Sequence, residues 1–213
     1  MALYSLFLKG GPVMWPLLIV SVLGLAVAIE RGLFLLRHFE TVEPQLAREM
    51  LLHVEAGETE EALKKGRRSQ DPVARVLVAG LMNRNRSLSG ALLRAASSEL
   101  EAYSRWISTL DTIVTLAPLL GLLGTVTGMV RAFGMLGGRE LEASAAITGG
   151  IAEALIATGF GLMIAILALI PLNILNAVFS KTKRRIEQAA TELETTGISY
   201  ENALRLTAAP SPN

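Results

Sequence analysis

The sequence predicts an all-α integral membrane protein with three transmembrane helices. Three long apolar segments lead to this prediction, because a helix needs about 20 mainly apolar residues to cross a bilayer. Hydrophobic residues make up 51% of the 213 residues and charged residues only 18%, a more apolar balance than soluble domains usually have. The sequence contains no alternating strand pattern and no glycine-rich phosphate loop that follows a strand.

The first transmembrane helix is predicted at residues 12–36, after a short amino-terminal segment at 1–11. Residues 10–29, GGPVMWPLLIVSVLGLAVAI, hold no charge. This apolar stretch is too long for the core of a cleavable signal peptide, and no small-residue cleavage site follows it, so it is interpreted as a retained anchor. Glu30 and Arg31 come directly after it and are expected to pair at the membrane interface.

Residues 37–107 are predicted to form a cytoplasmic helical domain. Apolar residues recur at helical spacing from Val42 to Ser69, among mixed charges. Asp71 is expected to cap a following helix that has Pro72 at its first position. Residues 88–114, LSGALLRAASSELEAYSRWISTLDTIV, are predicted to run as one helix from this domain into the second span.

The second transmembrane helix is predicted at 108–135 and the third at 147–178, with a short periplasmic loop at 136–146. Residues 179–213 are predicted to form a cytoplasmic helical extension and a disordered tail, TAAPSPN. A single helix from residue 147 to 190 would be roughly 65 Å long at 1.5 Å per residue, about twice the hydrocarbon thickness.

Flanking basic residues predict the orientation, because cytoplasmic loops carry more Lys and Arg than external loops. Basic residues follow the first span, precede the second span and follow the third span as KTKRR. The central domain and the carboxyl terminus are therefore predicted to be cytoplasmic, with the amino terminus outside. The basic residues used here are Arg31, Arg37, Arg48, Arg94, Arg105, Lys181, Lys183, Arg184 and Arg185.

Small residues recur at steps of three or four in the second and third spans, and each series lies on one face of its helix. Such faces let helix backbones approach closely in lipid. Two interpretations remain open: the faces only pack two helices together, or they pack while a neighbouring strip lines a pathway. The series are Ala117, Gly121, Gly124 and Gly128 in the second span and Gly150, Ala154, Ala157, Gly161, Ala165 and Ala168 in the third.

Three polar residues border these faces. Thr125 lies about 40° around the helix from Gly121, and Thr158 lies about 40° from Ala154. Each threonine could instead bond only to a carbonyl of its own helix. Glu153 is an ionisable residue within the third span, which usually marks a bundle interior or wet cavity, although from this depth it could also reach outward to the interface.

These three residues make an incomplete proton path, because the spans contain no second central acid. The missing acid is expected to come from another chain. No cysteine is present, which excludes disulfides, thiol catalysis and thiolate metal sites. His38 and His53 show no metal-ligand pattern, and no set of nucleophile and base indicates an enzyme. Three spans without inverted repeats also argue against a small-molecule transporter.

Span motifs give this sequence a specific resemblance. Residues 116–133, LAPLLGLLGTVTGMVRAF, and residues 149–174, GGIAEALIATGFGLMIAILALIPLNI, resemble the second and third spans of the ExbB/TolQ/MotA family. The opening GGPVMWPLLIVSVLGLAVAIERG is similar to the first span of ExbB-like members. The resemblance covers nearly the whole chain and is closest to ExbB and TolQ.

The resemblance implies a homopentameric ring in the bacterial inner membrane, with its pore lined by the second and third spans. A dimer of single-span ExbD- or TolR-like partners would thread the pore, and each partner would contribute an aspartate facing Thr125, Glu153 and Thr158. Inward proton flow would drive motion of the partner and so energise TonB-dependent uptake or Pal-linked envelope work. No cofactor is implied.

Several alternatives remain open from the sequence. A carboxylate and hydroxyls suit either protons or sodium, and only the resemblance favours protons. The chain could be an ExbB-type subunit, a TolQ-type subunit or a gliding-motility motor subunit of the same family. A scaffold that conducts nothing, in which the small faces only assemble a bundle, is the alternative from a different class.

Overall fold

A computed structural model describes residues 2–134 and 140–208 of the chain. Throughout these residues the regular structure is α-helical, which confirms the predicted class. The eight described helices are α1 Ala2–Lys9, α2 Met14–Thr41, α3 Leu46–Glu55, α4 Thr59–Gly66, α5 Pro72–Met82, α6 Arg84–Ser104, α7 Ile107–Gly134 and α8 Glu140–Ala208.

The chain divides into two units. One comprises Met1–Leu33 and Trp106–Leu175, and the other comprises Phe34–Arg105 and Asn176–Asn213. Three helical stretches are long and apolar enough to cross a membrane, which confirms the three predicted spans by length and composition. They are Met14–His38, Arg86–Gly134, which contains most of α6, all of α7 and the break between them, and Ile147–Thr196.

The first unit exposes large apolar side chains on its helices. Leu119 of α7 is 60% exposed, and Leu155 and Ile166 of α8 are 68% and 60% exposed. One cluster of its buried side chains joins the residue before α2 and the start of α2 to alanines of α7 and α8: Val13, Met14, Leu17, Ala117, Ala157 and Ala165. So much exposed apolar surface would be unfavourable in water and is expected in lipid.

The amino-terminal segment forms a helix, α1, where only a short terminal segment was predicted. The ring of Phe7 meets that of Trp15 edge-on, with centroids 5.5 Å apart. Between α1 and α2 the chain turns at Gly11, whose φ of +74° lies in the left-handed region that glycine adopts without strain. This turn, residues 10–13, is called the amino-terminal elbow below.

The predicted continuous helix over residues 88–114 is wrong, because the structure ends α6 at Ser104 and begins α7 at Ile107. Arg105 has φ −56° and ψ 132°, and Trp106 has φ +67°. A bulky residue in the left-handed region is strained and persists only where tertiary packing offsets the cost. No glycine or proline marks the break, so the sequence pattern gives no local sign of it.

The second unit packs α3, α4, α5 and α6 with the later part of α8. Its buried side chains include Met50, Val73, Leu77, Ile186 and Leu193. This cluster confirms that the central segment contains amphipathic helices. The stretch 42–69 folds as two helices, α3 and α4, and the turn between them contains Gly57 at φ +79°.

Asp71 is the predicted cap of α5, and it also bonds to two other segments of the second unit. Its Oδ1 accepts hydrogen bonds from the backbone N–H groups of Val73 at 2.7 Å and Ala74 at 3.4 Å, which confirms the cap. Its Oδ2 accepts from the backbone N–H of Glu43 at 2.8 Å and from Arg185 Nη2 at 3.2 Å. The fully buried carboxylate therefore joins α5 to α8 and to the segment before α3.

The predicted pairing of the neighbouring Glu30 and Arg31 is confirmed, with Oε1 and Nη2 3.0 Å apart. His38 is buried and its Nδ1 lies 2.9 Å from the Tyr103 hydroxyl.

Helix α8 is longer than the third span and its extension were predicted to be. It begins at Glu140, inside the predicted loop 136–146, and is assigned as one helix as far as Ala208. Thr207 and Ala208, which belong to the predicted tail, lie in this helix. The rest of the tail, 209–213, and residues 135–139 lie outside the described residues.

Candidate functional site

The small faces of α7 and α8 bring the two helix backbones into direct contact. A Cβ atom added at Gly121 would lie 3.0 Å from the Cα of Thr158 and 3.1 Å from the carbonyl oxygen of Ala157. A Cβ at Gly161 would lie 2.6 Å from the carbonyl oxygen of Ala117. These neighbours are backbone or Cα atoms, so a larger residue would force the helices apart.

The contact continues along both helices toward the end of α7. A Cβ added at Gly128 would lie 2.9 Å from the carbonyl oxygen of Gly150 and 3.3 Å from the Cβ of Ala154. One added at Gly150 would lie 2.5 Å from the Cβ of Ala132, and one at Gly124 would overlap the Cβ of Ala157. Apart from Ala165 and Ala168, the small residues singled out from the sequence therefore meet each other in this crossing.

Thr158 bridges the two helices at the tightest part of the crossing. Its hydroxyl donates a hydrogen bond to the carbonyl oxygen of Gly121 at 3.0 Å. This bond is possible because Gly121 has no side chain to cover its carbonyl from α8. A bond to its own helix was the alternative expected for Thr158, and the described geometry places the bond across the interface instead.

Thr125 bonds within its own helix. Its hydroxyl donates to the carbonyl oxygen of Leu122 at 2.6 Å, and Thr112 does the same to Ser108 at 2.8 Å. For Thr125, the hydroxyl therefore bonds to its own helix, which was the alternative left open from the sequence. A threonine oxygen that donates its proton still has two lone pairs, so Thr125 and Thr158 both remain hydrogen-bond acceptors.

Glu153 forms an ion pair with Arg131 of α7. Its Oε1 lies 3.0 Å from the Arg131 Nη1, and the side chains of Glu153 and Arg131 are 19% and 47% exposed. The carboxylate also faces the amino-terminal elbow, where a Cβ added at Gly11 would overlap it. Arg131 was not singled out from the sequence. It lies one turn after Gly128, and the contact of Gly128 with Ala154 brings Arg131 beside Glu153.

The three predicted polar residues thus lie on one pair of helices but have different partners: an interhelical carbonyl, an intrahelical carbonyl and a guanidinium. Among the residues whose side chains the structure describes, no three His, Asp or Glu side chains gather as a metal site would require. What the arrangement offers chemically is a carboxylate with its counter-ion and two hydroxyl acceptors, all in apolar helices.

Comparison with known proteins finds a matching family model and several similar sequences. The model of the MotA/TolQ/ExbB proton channel family matches residues 68–188, which include all three polar residues and Arg131. ExbB-like 1 of Synechocystis sp., named as a biopolymer transport protein, is 40% identical over 200 residues, covering 88% of this chain and 76% of its own. ExbB-like 3 of the same organism is 30% identical over 192 residues, covering 88% and 91%.

A second branch of relatives is similar over a shorter stretch. The Tol-Pal system protein TolQ of Haemophilus influenzae is 39% identical over 83 residues, covering 39% of this chain and 36% of its own.

The α7–α8 contact predicts a large difference between two glycines of α8. Gly161→Ala should destabilise the chain by about 1–3 kcal/mol, because the added methyl group meets a backbone oxygen. Gly159→Ala, on the same helix, has open space within 4 Å of the added Cβ and should be neutral or stabilising by up to about 1 kcal/mol. Thermal unfolding of both variants in detergent measures the difference, and equal unfolding temperatures would contradict the described contact.

Proposed function

This chain belongs to the MotA/TolQ/ExbB proton channel family, and we propose that it is the stator and channel subunit of an inner-membrane motor driven by the proton-motive force. The observation that supports this most is the α7–α8 crossing, where Thr158 bonds across the helices to Gly121 at 3.0 Å. Thr125 and Glu153 lie on the same two helices. Polar groups within a bilayer span are energetically unfavourable, and they usually mark a pathway for an ion or a substrate.

The hydrogen-bond directions suggest what the two threonines do. Both hydroxyl protons are committed to backbone carbonyls, at 2.6 Å for Thr125 and 3.0 Å for Thr158. The oxygens can therefore accept a bond from a protonated carboxylic acid but have no free proton for a carboxylate. We propose that they receive a partner's aspartic acid in its neutral form as it leaves water.

The proposed assembly is a ring of five copies around a dimer of ExbD- or TolR-like single-span partners, which supply that aspartate. The exposed apolar faces of α7 and α8 offer surface for neighbouring copies and lipid. The proposed orientation has the amino terminus in the periplasm and the central helical domain in the cytoplasm, as the flanking basic residues favour.

Proton entry supplies the energy in this proposal. One charge that crosses 100 mV releases about 2.3 kcal/mol. Several protons per step would therefore be needed to move the partner against a load of a few tens of kcal/mol. Each proton would bind to and neutralise the partner's aspartate on one side of the membrane and dissociate from it on the other side. This cycle would turn the partner within the ring.

The mechanical work of the motor is proposed to be done in the periplasm. Relatives named for biopolymer transport support an ExbB-like role in energising TonB-linked outer-membrane uptake, and the TolQ relative supports Pal-linked envelope work. The longer similarity to ExbB-like proteins favours the first of these. A gliding-motility motor would use the same subunit chemistry with a different load.

A structural membrane scaffold is the second candidate. The own-helix bond of Thr125 and the close glycine contacts are what packing alone would produce. In a scaffold the hydroxyls and Glu153 would be dispensable, because an interhelical hydrogen bond in lipid contributes only about 0.6 kcal/mol on average.

The first prediction from this proposal is a homopentamer. Native mass spectrometry of the detergent-solubilised full-length chain should give the mass of five copies, because the ring supplies the pore. A monomer at every concentration would contradict the proposed ring.

The second prediction is that Thr125→Val, Thr158→Val and Glu153→Gln abolish function but leave assembly intact. The two valine variants remove only a hydroxyl at nearly constant shape, and glutamine keeps the size of Glu153 but cannot carry a charge. Uptake or envelope integrity should fall to the level of a strain that lacks the chain. Membrane-inserted protein and partner pull-down should be normal.

A matched control is Thr112→Val, because Thr112 makes the same own-helix bond near the start of α7. It should retain full function. Normal function of both Thr158→Val and Glu153→Gln at normal expression would reduce the chain to a scaffold.

A further inference from the structure

We propose that Arg131 is a specificity-determining residue that makes this pathway select protons over sodium ions. It would do so by forming an ion pair with Glu153, the anionic side chain of the crossing, and so compensating its charge. The inference rests on the proposed function, since it concerns which ion drives that motor. The sequence alone leaves the ion open, because a carboxylate and two hydroxyls suit either protons or sodium.

The geometry supports this role through one contact. Glu153 Oε1 lies 3.0 Å from Arg131 Nη1, so this carboxylate oxygen already has a cationic partner. The acid side chain is 19% exposed and the arginine side chain 47% exposed, so the arginine is the more exposed member of the pair. A second cation that approached Glu153 would therefore meet the guanidinium.

The amino-terminal elbow closes another side of the same carboxylate. A side-chain carbon at Gly11 would overlap Glu153, so the backbone of the elbow stands against the acid. Val13 of the elbow is buried in the core with Ala117 and Ala157, which holds the elbow in place. Arg131 and the elbow thus lie on two sides of the carboxylate, and the elbow backbone leaves little space for an ion on its side.

Sodium and protons make different demands on such a site. Sodium is a hard cation that must exchange water for several oxygen ligands, and a compensating negative charge favours its binding. Charge compensation by Arg131 removes that advantage at Glu153. A proton needs only one basic oxygen at a time, and the acceptor oxygens of Thr125 and Thr158 can hold the acid that carries it.

The test uses the full-length chain with its single-span partner, reconstituted in liposomes with separately imposed proton and sodium gradients. The variants are Arg131→Gln, Arg131→Lys and the double variant Arg131→Gln/Glu153→Gln. Radiolabelled sodium flux and proton flux are measured, together with sodium retained by the purified chain in detergent at equilibrium.

The wild type and Arg131→Lys should conduct protons and show sodium flux no higher than empty liposomes. Arg131→Gln should gain sodium flux and retained sodium at least tenfold above the wild type, because Glu153 is then uncompensated. The double variant should lose this gain. A structural role of Arg131 alone would not create sodium conduction that depends on Glu153.

The outcomes separate the two proposals. Sodium flux by the wild type comparable with its proton flux would overturn the specificity role and leave the motor standing, as would Arg131→Gln that inserts but gains no sodium flux. No ion flux by the wild type at all would overturn the motor. If Arg131→Gln does not insert, Arg131→Met replaces it, and failure of both beside normal Arg131→Lys would make the pair an assembly contact and overturn the specificity role.

Discussion

The direct backbone contact between α7 and α8 is the constraint on which the candidate site depends. Gly121 and Gly161 allow it, because any Cβ at these positions would lie between 2.6 and 3.4 Å from atoms of the facing helix. Only at this separation does the hydroxyl of Thr158 reach the carbonyl of Gly121. The same contact line, followed to Gly128 and Ala154, brings Arg131 within 3.0 Å of Glu153. The close helix packing and the polar contacts of Thr158 and Glu153 therefore depend on the same crossing of α7 and α8.

A charged residue in a span is tolerated when it is paired or meets water. Glu153 is paired, so the cost of placing it there falls, and removing either partner would leave the other uncompensated. The elbow at Gly11 ties the start of the first span to this pair. Its positive φ explains why a glycine, rather than any small residue, stands against the carboxylate. Three segments distant in sequence thus determine where a single carboxylate lies.

Patterns local in sequence predicted much of this structure. Apolar length indicated the three spans, steps of three and four indicated the small faces, and Asp71–Pro72 indicated a helix start. The contacts that escaped prediction join distant residues, 22 positions apart for Arg131 and Glu153 and 114 for Asp71 and Arg185. The break at Arg105 and Trp106 also escaped, because helical periodicity continues through it and the strained Trp106 depends on tertiary packing that no short pattern records.

If α7 and α8 line a pathway, Thr125 and Glu153 beside their contact meet water, and the accessibility of introduced cysteines measures this. The chain contains no cysteine, so Thr125→Cys and Glu153→Cys each introduce a single reporter, with Leu123→Cys and Leu155→Cys as controls about 200° away on the same helices. A membrane-impermeant thiol reagent should label the first two in intact membranes at least tenfold faster than the controls. Equal, slow labelling at all four positions would contradict it.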